Sequence, residues 1–311
     1  MRSLFIEVML KSKTIHGGKP GSRLLIVAGV HGDEYEPMAA VRRLITHITP
    51  QDLKGSVTLV PCVNEAAFRR ASRVAEDGLD LARVCPGRRD GSITERTAHA
   101  LSQLISESDF FIDMHTGGSG LRLTPLAGYL LHANGGVLDA QRKMSRAFNL
   151  PIIWGTHAGA EGRSLSVARD HNIPAIYTET GGGGGCDSDY VDACVEGCLS
   201  VMAELGMLER ESTESRVEYI VEDPRDQSGY LQIQHPAPQE GFFEQQVELG
   251  QRIQKGDCIG LVADILGESN VPVLAQEDGI VLMLRWTRRV NAGDALAAIL
   301  PTDEKFAKAR R

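Results

Sequence analysis

Aromatic side chains are scarce in this chain, 5% of 311 residues, and none form a stacking platform interleaved with basic residues. Lysine and arginine (33) are outnumbered by aspartate and glutamate (41), for a formal net charge of −8. Nucleic acid is therefore not an expected partner. No stretch reaches the roughly 18 apolar residues that a membrane-spanning helix requires, so no membrane is expected either. The six cysteines include no C-x-x-C pair, which removes the zinc-knuckle reading. Cys194 and Cys198 share a helical stripe with Val191, Val195, Leu199 and Met202, and are expected as small core residues, reduced thiols of a cytoplasmic protein. MRSLFIEVMLKSK at the N-terminus lacks the sustained apolar core and cleavage site of a signal peptide. No strand runs into a G-x-G-x-x-G turn and helix, so nucleotide binding has no support.

What the chain does have is 42% hydrophobic content, enough for a substantial core, and a pattern of strands ending in chemistry-bearing residues. The apolar run RLLIVAGV (23–30) reads as a buried strand, and from Pro37 the residues Met38, Val41, Leu44, Ile45 and Ile48 recur at helical spacing. His31 and Glu34 fall in the turn between the two, where side chains three apart can face one ion. DFFIDMH (109–115) is a second apolar strand ending in His115, broken by Thr116-Gly117-Gly118. PAIYTET (174–180) is a third, ending in Glu179 ahead of five glycines, Gly181 to Gly185. Helical segments between these strands predict a parallel arrangement, and ligands in open α/β sheets collect outside the carboxyl ends of the strands. His31, Glu34 and His115 would then form a His₂Glu set for one Zn²⁺, with its remaining position open, and Glu179 would be a spare carboxylate for proton transfer. Asp113 shares a strand face with His115 and would either orient its imidazole or cap a loop. The glycines would border the site or act as a linker.

The order H-x-x-E, then Asn64 to Arg73, then D-M-H, then T-E-T-G resembles the succinylglutamate desuccinylase and aspartoacylase family of the zinc carboxypeptidase-like fold, over about residues 20–205. The resemblance implies zinc on His31, Glu34 and His115, Glu179 as general base and Arg73 polarising the scissile carbonyl. The segment beginning at Asn64 is similar to the family's N-P-x-A-F-x-x-x-x-R, with Glu65 in place of proline, and implies Asn64 at the substrate. Residues 80–87, DLARVCPG, are similar to D-L-N-R-x-F-P-G and imply Arg83 as the grip on a substrate carboxylate. Two departures, Ala82 for asparagine and Cys85 for phenylalanine, bear on substrate identity. A looser likeness to bacterial deacetylases of acylated diamino acids runs through TERTAHAL and D-M-H-T-G-G. The expected activity is zinc-dependent hydrolysis of an N-acyl amino acid, a small-molecule substrate. The alternatives are a zinc carboxypeptidase and a non-catalytic binding protein on the same fold. Arg69, Arg70, Arg73, Arg83, Arg88 and Arg89 would supply local positive field against the negative net charge.

The expected fold class is α/β, a mostly parallel central sheet with helices on both faces (1–208), a charged linker (209–216), a small all-β unit similar to a barrel-sandwich hybrid (217–301) and a polar tail (302–311). In the β unit two similar turns, Gln254-Lys255-Gly256-Asp257 and Asn291-Ala292-Gly293-Asp294, each precede a short apolar strand. Its expected work is bordering the site or building a homo-oligomer. His157, in the glycine-rich WGTHAGAEGRS, is a further candidate for substrate contact, and His99 is expected at the solvent.

Overall fold

The computed structural model describes residues 8–211 and 213–302. Residues 1–7, Ser212 of the expected linker and residues 303–311 of the expected tail lie outside the described residues. The elements run β1 (Lys13–His16), β2 (Lys19–Ala28), α1 (Tyr35–His47), β3 (Lys54–Val60), α2 (Glu65–Arg69), α3 (Ile93–Ser106), β4 (Phe110–His115), β5 (Leu121–Leu130), α4 (Gly135–Phe148), β6 (Ile152–Thr156), α5 (Ser164–Asp170), β7 (Ala175–Gly182) and α6 (Ser188–Glu204). The C-terminal third adds β8 (Tyr219–Glu222), β9 (Gly241–Gln245), β10 (Arg252–Ile253), β11 (Cys258–Ala263), β12 (Asn270–Leu274), β13 (Gly279–Arg285), β14 (Arg289–Val290) and β15 (Ala297–Pro301).

Strand β2 is buried on both faces because helices cover both. Leu24, Ile26 and Ala28 point into one core with Val41 and Leu44 of α1, Phe148 of α4 and Cys194 and Cys198 of α6. Leu25 and Val27 point into the other, with Leu101 and Ile105 of α3 and Leu165 of α5. The period of two divides one apolar run between two cores, which is why it reads as continuous rather than alternating. Helix α3 begins at a capping box: the Glu95 N–H donates to Ser92 Oγ, and the Ser92 N–H to Glu95 Oε2 at 2.8 Å.

The central sheet has the order β1-β3-β2-β4-β7-β5-β13-β10, with β6 and β8 continuing beyond β5 and β15 alongside β13. Strands β3, β2, β4 and β7 are parallel, as expected. Strand β5, however, runs antiparallel to β7, so the sheet is mixed rather than mostly parallel. The cause is loop length: only residues 116–120 separate β4 from β5, too few for the crossover that a parallel return requires.

The C-terminal third is joined to this sheet rather than set apart from it. Strand β8, expected as the first strand of the small β unit, pairs in parallel with β6, and β13 pairs with β5 through Leu123 and Met283. Within 241–301 the two halves repeat one plan. The pairs Arg252↔Ile280 and Ile253↔Gly279 in β10 and β13 match Arg289↔Phe242 and Val290↔Gly241 in β14 and β9. The two similar turns also match, since Asp257 and Asp294 each accept from the N–H three residues earlier, at 2.8 and 2.9 Å.

The glycine run is ordered structure. Gly181, Gly182, Gly183 and Gly184 have φ of 68°, 110°, 77° and 75°, a left-handed series that glycine alone adopts freely. A Cβ at Gly182 would stand 2.3 Å from the Leu121 carbonyl oxygen. Gly182→Ala should therefore destabilise the fold by about 2 kcal/mol or more, lowering the melting temperature by several degrees in calorimetry. An unchanged melting temperature would show that this loop relaxes freely.

Candidate active site

Three strand ends deliver the site. His31 and Glu34 lie in the turn after β2, His115 closes β4, and the register of β4 on β7 sets His115 directly beside Glu179. Glu34 is 1% exposed and stands between the two imidazoles, with Oε1 2.6 Å from His31 Nδ1 and Oε2 3.0 Å from His115 Nδ1. One donor atom from each of His31, Glu34 and His115 lies within 4.8 Å of the others. All three are buried, and the donors are two imidazole nitrogens and a carboxylate oxygen, the set that fits a catalytic divalent cation.

The outer nitrogen of each histidine is held by a carboxylate. His31 Nε2 lies 3.2 Å from Asp80 Oδ1, and His115 Nε2 lies 3.1 Å from Asp113 Oδ1. Asp113 in turn accepts from the Ser164 hydroxyl at the start of α5. Asp113 thus lies close beside an imidazole with one oxygen, while the other ties down a helix start rather than capping a loop. Such partners fix the tautomer that presents Nδ1 inward. Burial alone would raise the Glu34 carboxyl, but His31 and His115 hold it well below the usual carboxylate range. Desolvation opposes charge on His115, yet Asp113 and Glu34 raise it well above an ordinary histidine. The cluster is built to stabilise positive charge.

A further carboxylate of the same turn secures a loop beside it: Asp33 Oδ2 accepts from the Ser119 N–H and Oγ at 2.9 and 2.8 Å. Glu36, in the first turn of α1, is buried against the glycine loop at Gly181. The glycine loop also rests on the residues after β4, through Gly184 N–H to Gly118 O at 2.9 Å.

Glu179, Arg73 and Arg83 line the same cavity as the donor cluster, but Asn64 does not. Asn64 is instead the N-cap of α2, its Oδ1 accepting from the Ala67 N–H at 3.1 Å. An asparagine just before a helical run prefers this role. Glu179 is pushed up to about 8, chiefly by burial, and its Oε2 has no hydrogen-bond partner. Arg73 is tied to Asp80, whose Oδ2 accepts from Nε at 3.1 Å and Nη2 at 2.9 Å. Against its own desolvation, Asp80 is held well below the usual carboxylate range by His31 and Arg73, so one side chain links a candidate metal ligand to an arginine of the cavity. Arg83 sits at the mouth, its guanidinium pulled below its ordinary value by desolvation and by the neighbouring cations Arg163 and Arg73.

Three residues lay outside the sequence reading: Asp80, which stands behind the cavity lining as a partner of His31, and the lining residues Arg163 and Gln232. Asp80 and Arg163 stood in segments already singled out, DLARVCPG and WGTHAGAEGRS, although the latter had suggested His157. His157 instead faces Asp226 at 3.1 Å and does not line the cavity. The Arg163 guanidinium stacks 4.6 Å from the Tyr230 ring, with Nε and Nη2 unpartnered. Gln232, inside the expected small β unit, carried no signal.

Donor cluster, adjacent carboxylate and arginine-lined mouth on an α/β sheet are the features of a hydrolase class built for small acylated compounds. The chain belongs to the succinylglutamate desuccinylase/aspartoacylase family, whose catalytic-domain model matches residues 20–205. It is 30% identical over 306 residues to the N-alpha-acetyl-L-2,4-diaminobutyric acid deacetylase of Halomonas elongata, covering 96% of this chain and 87% of that one. Among solved structures it is similar to the product-bound ectoine utilization protein EutE (DoeB) of Ruegeria pomeroyi, with TM-score 0.86, 27% identity and coverage of 94% and 89% of the two chains. A succinylglutamate desuccinylase/aspartoacylase from Rhodobacter sphaeroides superimposes with TM-score 0.84, 25% identity and coverage of 97% and 90%.

Asp113→Asn should weaken metal binding about 10- to 100-fold, measured by chelator competition on purified protein with its circular dichroism unchanged. Equal affinity in the two proteins would remove Asp113 from the metal site.

Proposed function

We propose that this protein is a zinc-dependent amidohydrolase that removes the acyl group from an N-acyl amino acid. The observation that carries the reading is the convergence of His31, Glu34, His115, Glu179 and Arg73 on one cavity at the strand ends. His31 and His115 would hold the ion through Nδ1 and Glu34 through its carboxylate. The bound ion would supply Lewis acidity and bring the pKa of water down to about 7.

The remaining work falls to the chain's own residues. Glu179, with its unpartnered Oε2, takes a proton from the attacking water and later delivers it to the departing amine nitrogen. Arg73, fixed through Nε and Nη2 by Asp80, turns its other edge toward the scissile carbonyl oxygen and stabilises the charge that develops there. Arg83 and Arg163 offer guanidinium groups for the substrate carboxylate, and Ala82 leaves more room beside them than asparagine would. Leu121, Leu123, Leu130, Leu165 and Met283 give the cavity an apolar wall suited to a short acyl chain or methylene groups. The Halomonas relative's name makes acetylated diamino acids the first substrates to try. A carboxypeptidase needs a firmer carboxylate clamp than Ala82 leaves, and a binding protein would have no need of Glu179 beside the donor cluster.

The test is amine release from a panel of acetyl, succinyl and other N-acyl amino acids, diamino acids included, run beside metal analysis. Glu179→Gln should retain its metal while kcat falls about 10²- to 10⁴-fold. An active variant would remove Glu179 from proton transfer, and metal without amine release from any panel member would favour a binding protein.

A further inference from the structure

The guanidinium of Arg73 has two usable edges, and both are taken. Asp80 accepts from Nε and Nη2, leaving the Nη1–Nη2 edge for the scissile carbonyl. On that edge lies the side-chain amide of Gln232. Its polar neighbours, Arg73 and Arg83, are donors only, so the amide must present its oxygen to one of them. Turned to Arg73 the oxygen accepts from Nη2 at 2.9 Å and Nη1 at 3.3 Å; turned to Arg83 it accepts once, at 3.4 Å. The first orientation makes two charge-assisted bonds against one long one, and it is favoured.

We infer that Gln232 is a specificity-determining residue that occupies the carbonyl seat of Arg73 with its own amide oxygen until a substrate amide displaces it. An amide is the closest chemical likeness to the scissile group that a protein side chain offers. The exchange is feasible because Gln232 is exposed, so its amide passes from Arg73 to water without leaving a buried polar group unpaired. It sits in a short 3₁₀ turn, Leu231–Ile233, bracketed by left-handed backbone at Gln227 (φ 64°), Gly229 (φ 81°) and His235 (φ 43°). The ends of this strap are secured, by the Ser228 hydroxyl donating to the Asp223 carbonyl at 2.7 Å and by His235 Nδ1 at 3.2 Å from Ala297 O. Its middle meets the cavity through Leu231 and Gln232, while Ile233 is 53% exposed. A ligand that engages Arg73 alone must compete with Gln232; one that also places a carboxylate on Arg83 or Arg163 outcompetes it. The residue therefore screens out simple carboxylates and favours acylated amino acids.

This inference rests on the amidohydrolase reading for its substrate, and the test separates the two. In Gln232→Ala, KM for N-acetyl-L-2,4-diaminobutyrate and the Kd of the metal-free protein for it should both fall about three- to tenfold, the size expected when a competing closed state that holds about two-thirds to nine-tenths of the molecules is removed. Gln232→Asn, too short to reach Arg73, should behave alike, and Gln232→Glu, an anion held by Arg73, should raise KM more than tenfold. Modification by phenylglyoxal, followed by mass spectrometry, should proceed several-fold faster at Arg73 in Gln232→Ala while the rate at remote Arg42 stays the same. Equal modification rates at Arg73, or a KM unchanged or raised in the alanine variant, would overturn the inference. A wild type that releases no amine from any N-acyl amino acid would sink the amidohydrolase reading, and the Arg73 modification rates would still decide the role of Gln232.

Discussion

Glu34 is a carboxylate with almost no access to water, and the protein is arranged around making that tolerable. A buried charge costs several kcal/mol unless paired and hydrogen-bonded. Glu34 meets this demand with an imidazole on each oxygen, and each imidazole is steadied by a further carboxylate. The chain of partners runs outward from Glu34 through His31 to Asp80 and Arg73, and through His115 to Asp113 and Ser164. Every member is thereby fixed in place before a substrate arrives, as catalysis by positioned charge requires.

The sheet makes this possible because three parallel strands end at one level. Strand β2 hands over His31 and Glu34, β4 hands over His115, and β7 sets Glu179 at its side. The turn that carries Glu34 also carries Asp33, which ties down the Ser119 loop, and Glu36 in the first turn of α1 lies buried beside the glycine loop. One hexapeptide, HGDEYE, thus carries two candidate metal ligands and holds neighbouring loops in place.

Much of this was legible in the sequence because it is local. An apolar run bounded by glycine and ending in His or Glu encodes a strand and the polar residue at its tip together, so the meeting of His31, Glu34, His115 and Glu179 in one cavity could be expected before any coordinates. Arg73 and Arg83 were reached through motif likeness rather than physics. Asn64 was likewise reached through motif likeness, while an asparagine immediately before EAAFR is also an N-cap pattern, the place its side chain takes in the fold. The antiparallel course of β5 was readable only from the brevity of residues 116–120. Gln232 was illegible: its partner Arg73 stands in a distant stretch of the chain, and nothing in the residues around Gln232 encodes that encounter. Tertiary contacts of this kind belong to the fold as a whole.

Strand β13 lends its edge to β5 at Leu121–Leu123 and, on its other side, receives β15, while Val281 and Leu284 pack into the core of the C-terminal unit. A strand with obligations to two cores ties their cooperativity together, so the C-terminal third is not a detachable module. Excising it would bare the flank of β5 as an open ladder of N–H and C=O groups, a template for strand addition by another molecule. It would also strip Met283 and Leu231 from the cavity wall. Truncation, recombination or domain exchange at the 209–216 junction would consequently yield a sticky fragment rather than a minimal hydrolase.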